Sequence, residues 1–83
     1  MSRTPRKNSN GHLEPAANII RRLGGPIAVA KVTNVNITAP YRWQAPRDRG
    51  GTGGIIPYKH HAALLRHARK LGVKIRPVQF LPS

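Results

Sequence analysis

The stretch RDRGGTGG, residues 47–54, has the residue types of a loop that binds phosphate. Arginines can neutralise an anion, and glycines let backbone amides approach it closely. A nucleotide-binding loop, however, needs the spacing Gly-x-x-x-x-Gly-Lys-Ser/Thr between a strand and a helix, and here Ile55-Ile56-Pro57 follows the glycines. The Gly-x-Gly-x-x-Gly spacing of dinucleotide sites is absent as well. We therefore expect the loop either to bring its amides to the phosphates of a nucleic acid backbone or to be a plain linker between helices.

Side chains suited to catalysis or metal binding are few. The chain has no cysteine, and Glu14 and Asp48 are its only carboxylates, which is too few for glycosidase-type chemistry or an acidic two-metal centre. Of the four histidines, His60 and His67 share a helical face but have no Cys or carboxylate near them in sequence. Structural zinc takes four ligands, usually with sulfur among them. We expect a protein that is not an enzyme and that uses no metal or cofactor.

Charge is the strongest compositional feature of the chain. Fifteen Lys and Arg face two Asp and Glu, which gives a net charge of +13. Such a surface usually binds a polyanion, and nucleic acid is the commonest one. No apolar run approaches the roughly 20 residues of a membrane span, and one Trp and one Phe offer few membrane anchors. We expect no membrane association, no small-molecule substrate, and a cytoplasmic, nucleoid-associated location that also suits a cysteine-free chain.

Composition divides the chain into two parts. Residues 1–12 are polar and non-periodic, and they include Arg3, Arg6 and Lys7. We predict a disordered basic arm there, which either follows a phosphate backbone or only improves solubility. Residues 13–83 have apolar residues at helical spacing, and they predict one compact, all-α domain of four to five helices.

Proline and glycine mark the boundaries of the first two predicted helices. Pro15 suits a first helical turn, and Gly24 offers a left-handed end. Gly25 and Pro26 then supply the cap and the first residue of a second helix. This helix must be short because a β-branched and Asn-rich stretch, residues 33–36, follows it at once.

A tight turn and a third helix are predicted next. Ala30 is small enough for a second helix to cross closely, and Asn34 can adopt a left-handed conformation at modest cost. Val35 can plug the core, Asn36 can cap the next helix, and Trp43 supplies a large anchor at its end. Two short helices joined by a polar turn in a very basic chain are typical of a helix-turn-helix.

The clearest helix is predicted over residues 57–72, between a proline and a glycine. Its apolar stripe consists of Leu64, Leu65, Ala68 and Leu71. Its other face is basic, and it is either a solvated surface or a contact to a nucleic acid backbone. Val73 and Ile75 then alternate as a short extended segment, and Pro77 begins a last turn that returns Phe80 to the core.

The string GGPIAVAKVTNVNITAPYRW, followed by a basic Gly-rich loop and a final basic helix, resembles the small Cro-like (XRE-type) helix-turn-helix regulators of bacteria and their phages. The resemblance covers residues 19–81, with a GG-P-x-A-V-A helix, a Y-R-W recognition helix and an R-G-G-T-G-G-x-I-P loop. It implies an all-α domain that binds an operator in double-stranded DNA and represses or activates transcription. Whether the chain forms a homodimer stays open.

The resemblance assigns base recognition to the exposed face of the helix around residues 37–44. The assigned residues are Asn36, Ile37, Thr38, Tyr41 and Arg42. The chemistry agrees, because Asn can bond the edge of adenine, Arg can fork onto guanine, and Ile or Thr can contact a thymine methyl group. Phosphate contacts position a protein without reading sequence. These are expected from Lys31, Arg47, Arg49, Thr52 and Lys59.

Two residues depart from the pattern of the family. Pro40 stands where a buried Val or Ile is usual, and a proline costs about 3 kcal/mol inside a helix but little in its first turn. If Asn36 is the cap, Pro40 removes the first intrahelical bond, whereas a cap at Thr38 places Pro40 safely in the first turn. We expect a shifted or distorted helix start. Thr33, where an apolar residue is more usual, is a lesser departure.

Two other functions also fit the composition. The charge and the basic arm would suit a nucleoid or RNA-associated protein that binds nucleic acid regardless of sequence. A small interaction module or antitoxin could instead use the basic surface to mask an acidic partner protein. A sequence-specific regulator, of the repressor or phage-switch type, accounts best for the order of the motifs.

Overall fold

The computed structural model describes residues 13–81, so the predicted basic arm lies outside the described residues. The four α-helices are α1 (Ala16–Arg22), α2 (Pro26–Thr33), α3 (Thr38–Trp43) and α4 (His61–Leu71). Three short 3₁₀ segments accompany them: Arg47–Arg49, Tyr58–His60 and Pro77–Phe80. The described part of the chain contains no β-strand, and the predicted all-α class is confirmed. None of its helices has the length and hydrophobicity to cross a membrane.

The first two helices end as their sequences predicted. Gly24 follows α1 with a φ of 104°, and Asn34 follows α2 in the left-handed conformation with a φ of 58°. Directly after Asn34, the Val35 amide donates to the Ala30 carbonyl at 3.0 Å. The left-handed residue therefore lets an amide beyond the helix pair with a carbonyl of its last turn.

Pro40 determines how α3 begins. Thr38 is the first α-helical residue, so Pro40 lies in the first turn. The Ala39 amide donates to the Asn36 carbonyl at 2.9 Å, a three-residue spacing that replaces the bond Pro40 cannot make without an N–H. Oδ1 of Asn36 accepts a hydrogen bond from the Thr38 amide at 2.9 Å. Ile37 is the N-cap by position but makes no side-chain cap hydrogen bond, so Asn36 supplies the capping oxygen from one residue earlier. The expected shifted or distorted start is confirmed.

The hydrophobic core combines the inner faces of all four helices with the C-terminal segment. Its buried members are Ala16, Ile19, Ile20, Leu23, Val29, Ala39, Trp43, Ile56, Leu64, Ala68 and Phe80. The predictions that Trp43 anchors α3 and that the last turn returns Phe80 to the core are confirmed. Leu71, predicted in the apolar stripe of α4, is instead 51% exposed. It is the last residue of α4, and the left-handed Gly72 turns the chain away there.

Candidate nucleic-acid interface

α2, its left-handed turn and α3 form a helix-turn-helix unit with a buried inner side. Val35 in the turn packs against the core, and Trp43 is buried at the far end of α3. The hydroxyl of Thr33 donates to the Val29 carbonyl at 2.8 Å, which satisfies this polar group inside the helix. The departure at residue 33 is therefore accommodated without an unpaired hydroxyl.

The outer side of α3 and the two residues before it carry the side chains that the sequence predicted for base recognition. All five are exposed: Asn36, Ile37, Thr38, Tyr41 and Arg42. On the other side of the helix, Ala39, Pro40 and Trp43 are buried. Because the buried side of α3 packs against the core, the exposed side chains project away from the core. The geometry suits a helix that enters a groove.

Asn36 stabilises the start of α3, a structural role that the sequence predicted only in part. Its Oδ1 accepts hydrogen bonds from both the amide and the hydroxyl of Thr38, at 2.9 and 3.0 Å. Pairing with the edge of adenine uses the oxygen and the nitrogen of an Asn amide together. Such pairing by Asn36 would break the cap of α3. The side-chain nitrogen is the atom left to donate to a ligand.

Tyr41 lies beside the start of α2. Its side chain lines an open depression together with Arg21, Gly24, Gly25 and Pro26. Tyr41 is exposed and α2 begins at Pro26, so a ligand at Tyr41 would also meet the N-terminal turn of α2. The ring is thus available at the surface rather than being part of the core.

The glycine-rich loop is packed against the end of α3. The amides of Gly51, Thr52 and Gly53 donate to carbonyl oxygens within residues 42–46, at 3.0, 3.0 and 2.8 Å. A Cβ atom on Gly51 would clash with the Ala45 carbonyl, so a glycine is required for this close approach. Of the two roles expected for the loop, the structure does not support an approach of these three amides to phosphates, because their N–H groups donate within the protein.

Thr52 has a structural role instead of the predicted phosphate contact. Its hydroxyl is within hydrogen-bonding distance of the Trp43 carbonyl, at 3.2 Å, and of the Ile55 carbonyl. The Ile55 amide donates back to the same oxygen at 3.3 Å. The single O–H donor of Thr52 is therefore engaged inside the protein, and the side chain is half-buried. We exclude Thr52 from the candidate interface.

The four remaining residues predicted to contact phosphates are all exposed. They are Lys31, Arg47, Arg49 and Lys59. Arg47 and Arg49 form the 3₁₀ turn directly after α3, and the Arg47 side chain lies over Gly53. Within residues 13–81, no hydrogen bond joins any of the four to a carboxylate. These exposed side chains are available to an anionic ligand.

Two histidines serve packing, a role that their residue type did not indicate. The ring centroids of His60 and Trp43 are 5.1 Å apart, and those of His61 and Phe80 are 4.0 Å apart and stacked. Burial, followed by the charges of Lys59 and then His61, lowers the pKa of His60. Across the part of the chain that the structure describes, no three His, Asp or Glu side chains are grouped to hold a metal ion.

Ile27 is an exposed residue that we did not predict for the interface. It lies in the first turn of α2 and is 62% exposed. It shares an open depression with Ile37, which precedes α3 and is 41% exposed. The available signal was its spacing, because Ile27 lies four residues before Lys31 and therefore on the same face of α2.

The fold and the site define an all-α domain with an exposed helix-turn-helix unit and a cationic surface. A scan against protein-family models, a search of curated proteins and a search of solved structures each gave no match. The likeness to Cro-like regulators therefore rests on the sequence motifs alone. What the chain binds must be inferred from its own charge, exposure and contacts.

Proposed function

We propose that the protein is a sequence-specific, double-stranded DNA-binding regulator of transcription that inserts α3 into the major groove. The observation that carries the proposal is the two-sided character of α3, with its inner side locked into the core and its outer side exposed. The major groove admits one α-helix, and only there does each base pair present a distinct pattern of donors and acceptors.

The exposed side chains of α3 and of the two residues before it divide the recognition of bases between them. Arg42 can donate to both acceptors of guanine, while Ile37 and the methyl group of Thr38 can contact thymine. Tyr41 can donate its hydroxyl to a base or to a phosphate next to α2. Asn36 contributes through its side-chain nitrogen alone, because its Oδ1 already accepts hydrogen bonds from the amide and the hydroxyl of Thr38.

A second group of residues positions the protein on the DNA. Lys31, Arg47, Arg49 and Lys59 are exposed on the helix-turn-helix unit and on the segments that follow α3. Contacts to phosphate fix register and orientation but carry no sequence information. The net charge of +13 favours such contacts and suits a nucleoid-associated protein.

The same charge favours a second candidate, a protein that binds nucleic acid regardless of sequence. The two candidates can be distinguished by letting the full chain select the fragments that it binds from random double-stranded DNA. For a regulator we expect one enriched motif that is bound about a thousandfold or more tightly than scrambled DNA at physiological salt. For a charge-only binder no motif is enriched, and the affinities for both DNAs fall together and steeply with salt.

The symmetry of an enriched motif also reports how many copies bind. A two-fold dimer selects a palindrome with half-sites roughly 10 bp apart, about one helical turn, whereas a monomer selects a motif without symmetry. A reporter gene placed behind the motif then distinguishes repression from activation. Retention of one protein partner after nuclease treatment, without DNA binding, would indicate an interaction module instead.

A further inference from the structure

An apolar depression lies on the surface of the helix-turn-helix unit. It has a volume of about 570 Å³ and is open to solvent. Its lining residues are Ile27, Ala30, Lys31, Asn34, Val35 and Ile37. Ile27 and Ile37 expose 62% and 41% of their surface, and neither belongs to the core of the protein. Two exposed isoleucines next to a lysine indicate a ligand with an apolar group on an anionic frame.

The shape of the depression is fixed by the turn beneath it. Ile27 comes from α2 and Ile37 directly precedes α3, so the two walls belong to different elements. Between them, the Val35 amide donates to the Ala30 carbonyl at 3.0 Å, and Asn34 is left-handed. The two isoleucines are thus presented together before any ligand arrives, which reduces the entropy lost on binding.

We propose that this depression receives the C5-methyl group of a thymine, an inference that rests on the proposed DNA-binding function. In the major groove, thymine is the unmodified base that presents a methyl group, and its O4 acceptor lies directly beside it. Lys31 and Asn34 in the lining have N–H groups that can donate to O4 or to a nearby phosphate. Ile27 is then a second specificity-determining residue, beside Ile37.

Other occupants fit the lining less well. A 5-methylcytosine also has a C5-methyl group, but it places an amino donor where thymine has O4. The ammonium group of Lys31 can only donate, so it favours the acceptor of thymine. A second copy of the chain would bring another strongly basic surface against Lys31.

The test uses the full chain and its selected DNA site, with each thymine replaced in turn by deoxyuridine, which lacks only the methyl group. We expect one replacement in each bound half-site to weaken binding about three- to fivefold, the effect of leaving one methyl group unburied. The double variant Ile27→Ala with Ile37→Ala should bind the thymine and deoxyuridine sites equally. Val78→Ala is the matched control, since Val78 is 60% exposed but lies on the C-terminal 3₁₀ segment, and it should retain the preference for thymine.

The outcomes separate this inference from the function on which it rests. A selected motif in which no deoxyuridine weakens binding overturns the inference and leaves the DNA-reading function intact. A preference for thymine that persists in the double variant also overturns it, as does equal affinity for 5-methylcytosine at that position. If selection enriches no motif, the proposed function fails and this inference fails with it. The deoxyuridine comparison needs only the unaltered protein, so the absence of any effect there overturns the inference even if the double variant does not fold.

Discussion

The hydroxyl of Thr52 lies 3.2 Å from the carbonyl oxygen of Trp43 and donates to it or to the Ile55 carbonyl. The Thr52 amide donates to the Arg42 carbonyl at 3.0 Å. One residue thus links the glycine-rich loop to two consecutive carbonyls at the C-terminal end of α3. Such carbonyls lack partners within their own helix, so the loop completes the hydrogen bonding of α3.

Replacing Thr52 by Val should therefore destabilise the fold. The change keeps the shape of the side chain but removes the one O–H that serves the Trp43 or the Ile55 carbonyl and the oxygen that accepts from the Ile55 amide, which costs about 1–3 kcal/mol. Urea denaturation measures the loss, and Thr52→Ser, which keeps the hydroxyl, should recover most of it. A Thr52→Val protein of unchanged stability that binds DNA more weakly would return Thr52 to the set of phosphate contacts.

The local features of the fold could be predicted because each depends on only a few neighbouring residues. Gly24 and Asn34 mark helix ends since few other residues adopt positive φ at low cost. Trp43 and Phe80 are buried because a large apolar side chain in so small a domain has few alternatives. The distorted start of α3 followed from the missing N–H of Pro40.

The features that the sequence did not reveal depend on contacts between distant segments. The loop 50–54 looks like a flexible connector because four of its five residues are glycine, yet the amides of residues 51–53 are matched to carbonyls of residues 42–46. The pairing of Ile27 with Ile37 depends on how α2 and α3 cross. Helical periodicity describes each helix separately and contains no information about that crossing.

Asn36 provides a test of capping against base reading. Asn36→Ala removes the acceptor for the Thr38 amide and should destabilise the protein by about 1 kcal/mol, whereas Asn36→Ser retains a capping oxygen and should keep nearly full stability. If Asn36 acts mainly as the cap, the Ser variant also keeps its affinity for the selected DNA. Denaturation and DNA titration of both variants check this. A Ser variant with full stability but a tenfold loss of affinity would show that Asn36 reads a base.

Stability should depend on pH through His60. Burial, then the charges of Lys59 and His61, lowers the pKa of His60 from its ordinary value of 6.5. The unfolded chain therefore binds the proton more readily than the folded protein, and the free energy of unfolding falls as the pH decreases through 6.5. His60→Phe keeps a ring against Trp43 but does not titrate, so its stability should fall less between pH 7.5 and about 5.5. Urea midpoints at both pH values measure the difference, and identical pH slopes for the two proteins would contradict the assignment.

Arg42 and Arg49 should affect DNA binding in different ways. Arg42 is on the outer side of α3, so Arg42→Ala should cost about 1–3 kcal/mol on the selected site and relax the preference at one guanine. Arg49 is in the turn after α3, so Arg49→Ala should weaken binding to selected and scrambled DNA alike. It should also reduce the slope of log affinity against log salt concentration by about 1. Arg76→Ala removes the same charge from the exposed C-terminal segment and should change neither the preference nor the slope as much. Titrations of both DNAs at several salt concentrations distinguish the three. If Arg42→Ala weakened binding to both DNAs equally, Arg42 would contact the DNA backbone. The recognition of bases would then have to come from another element.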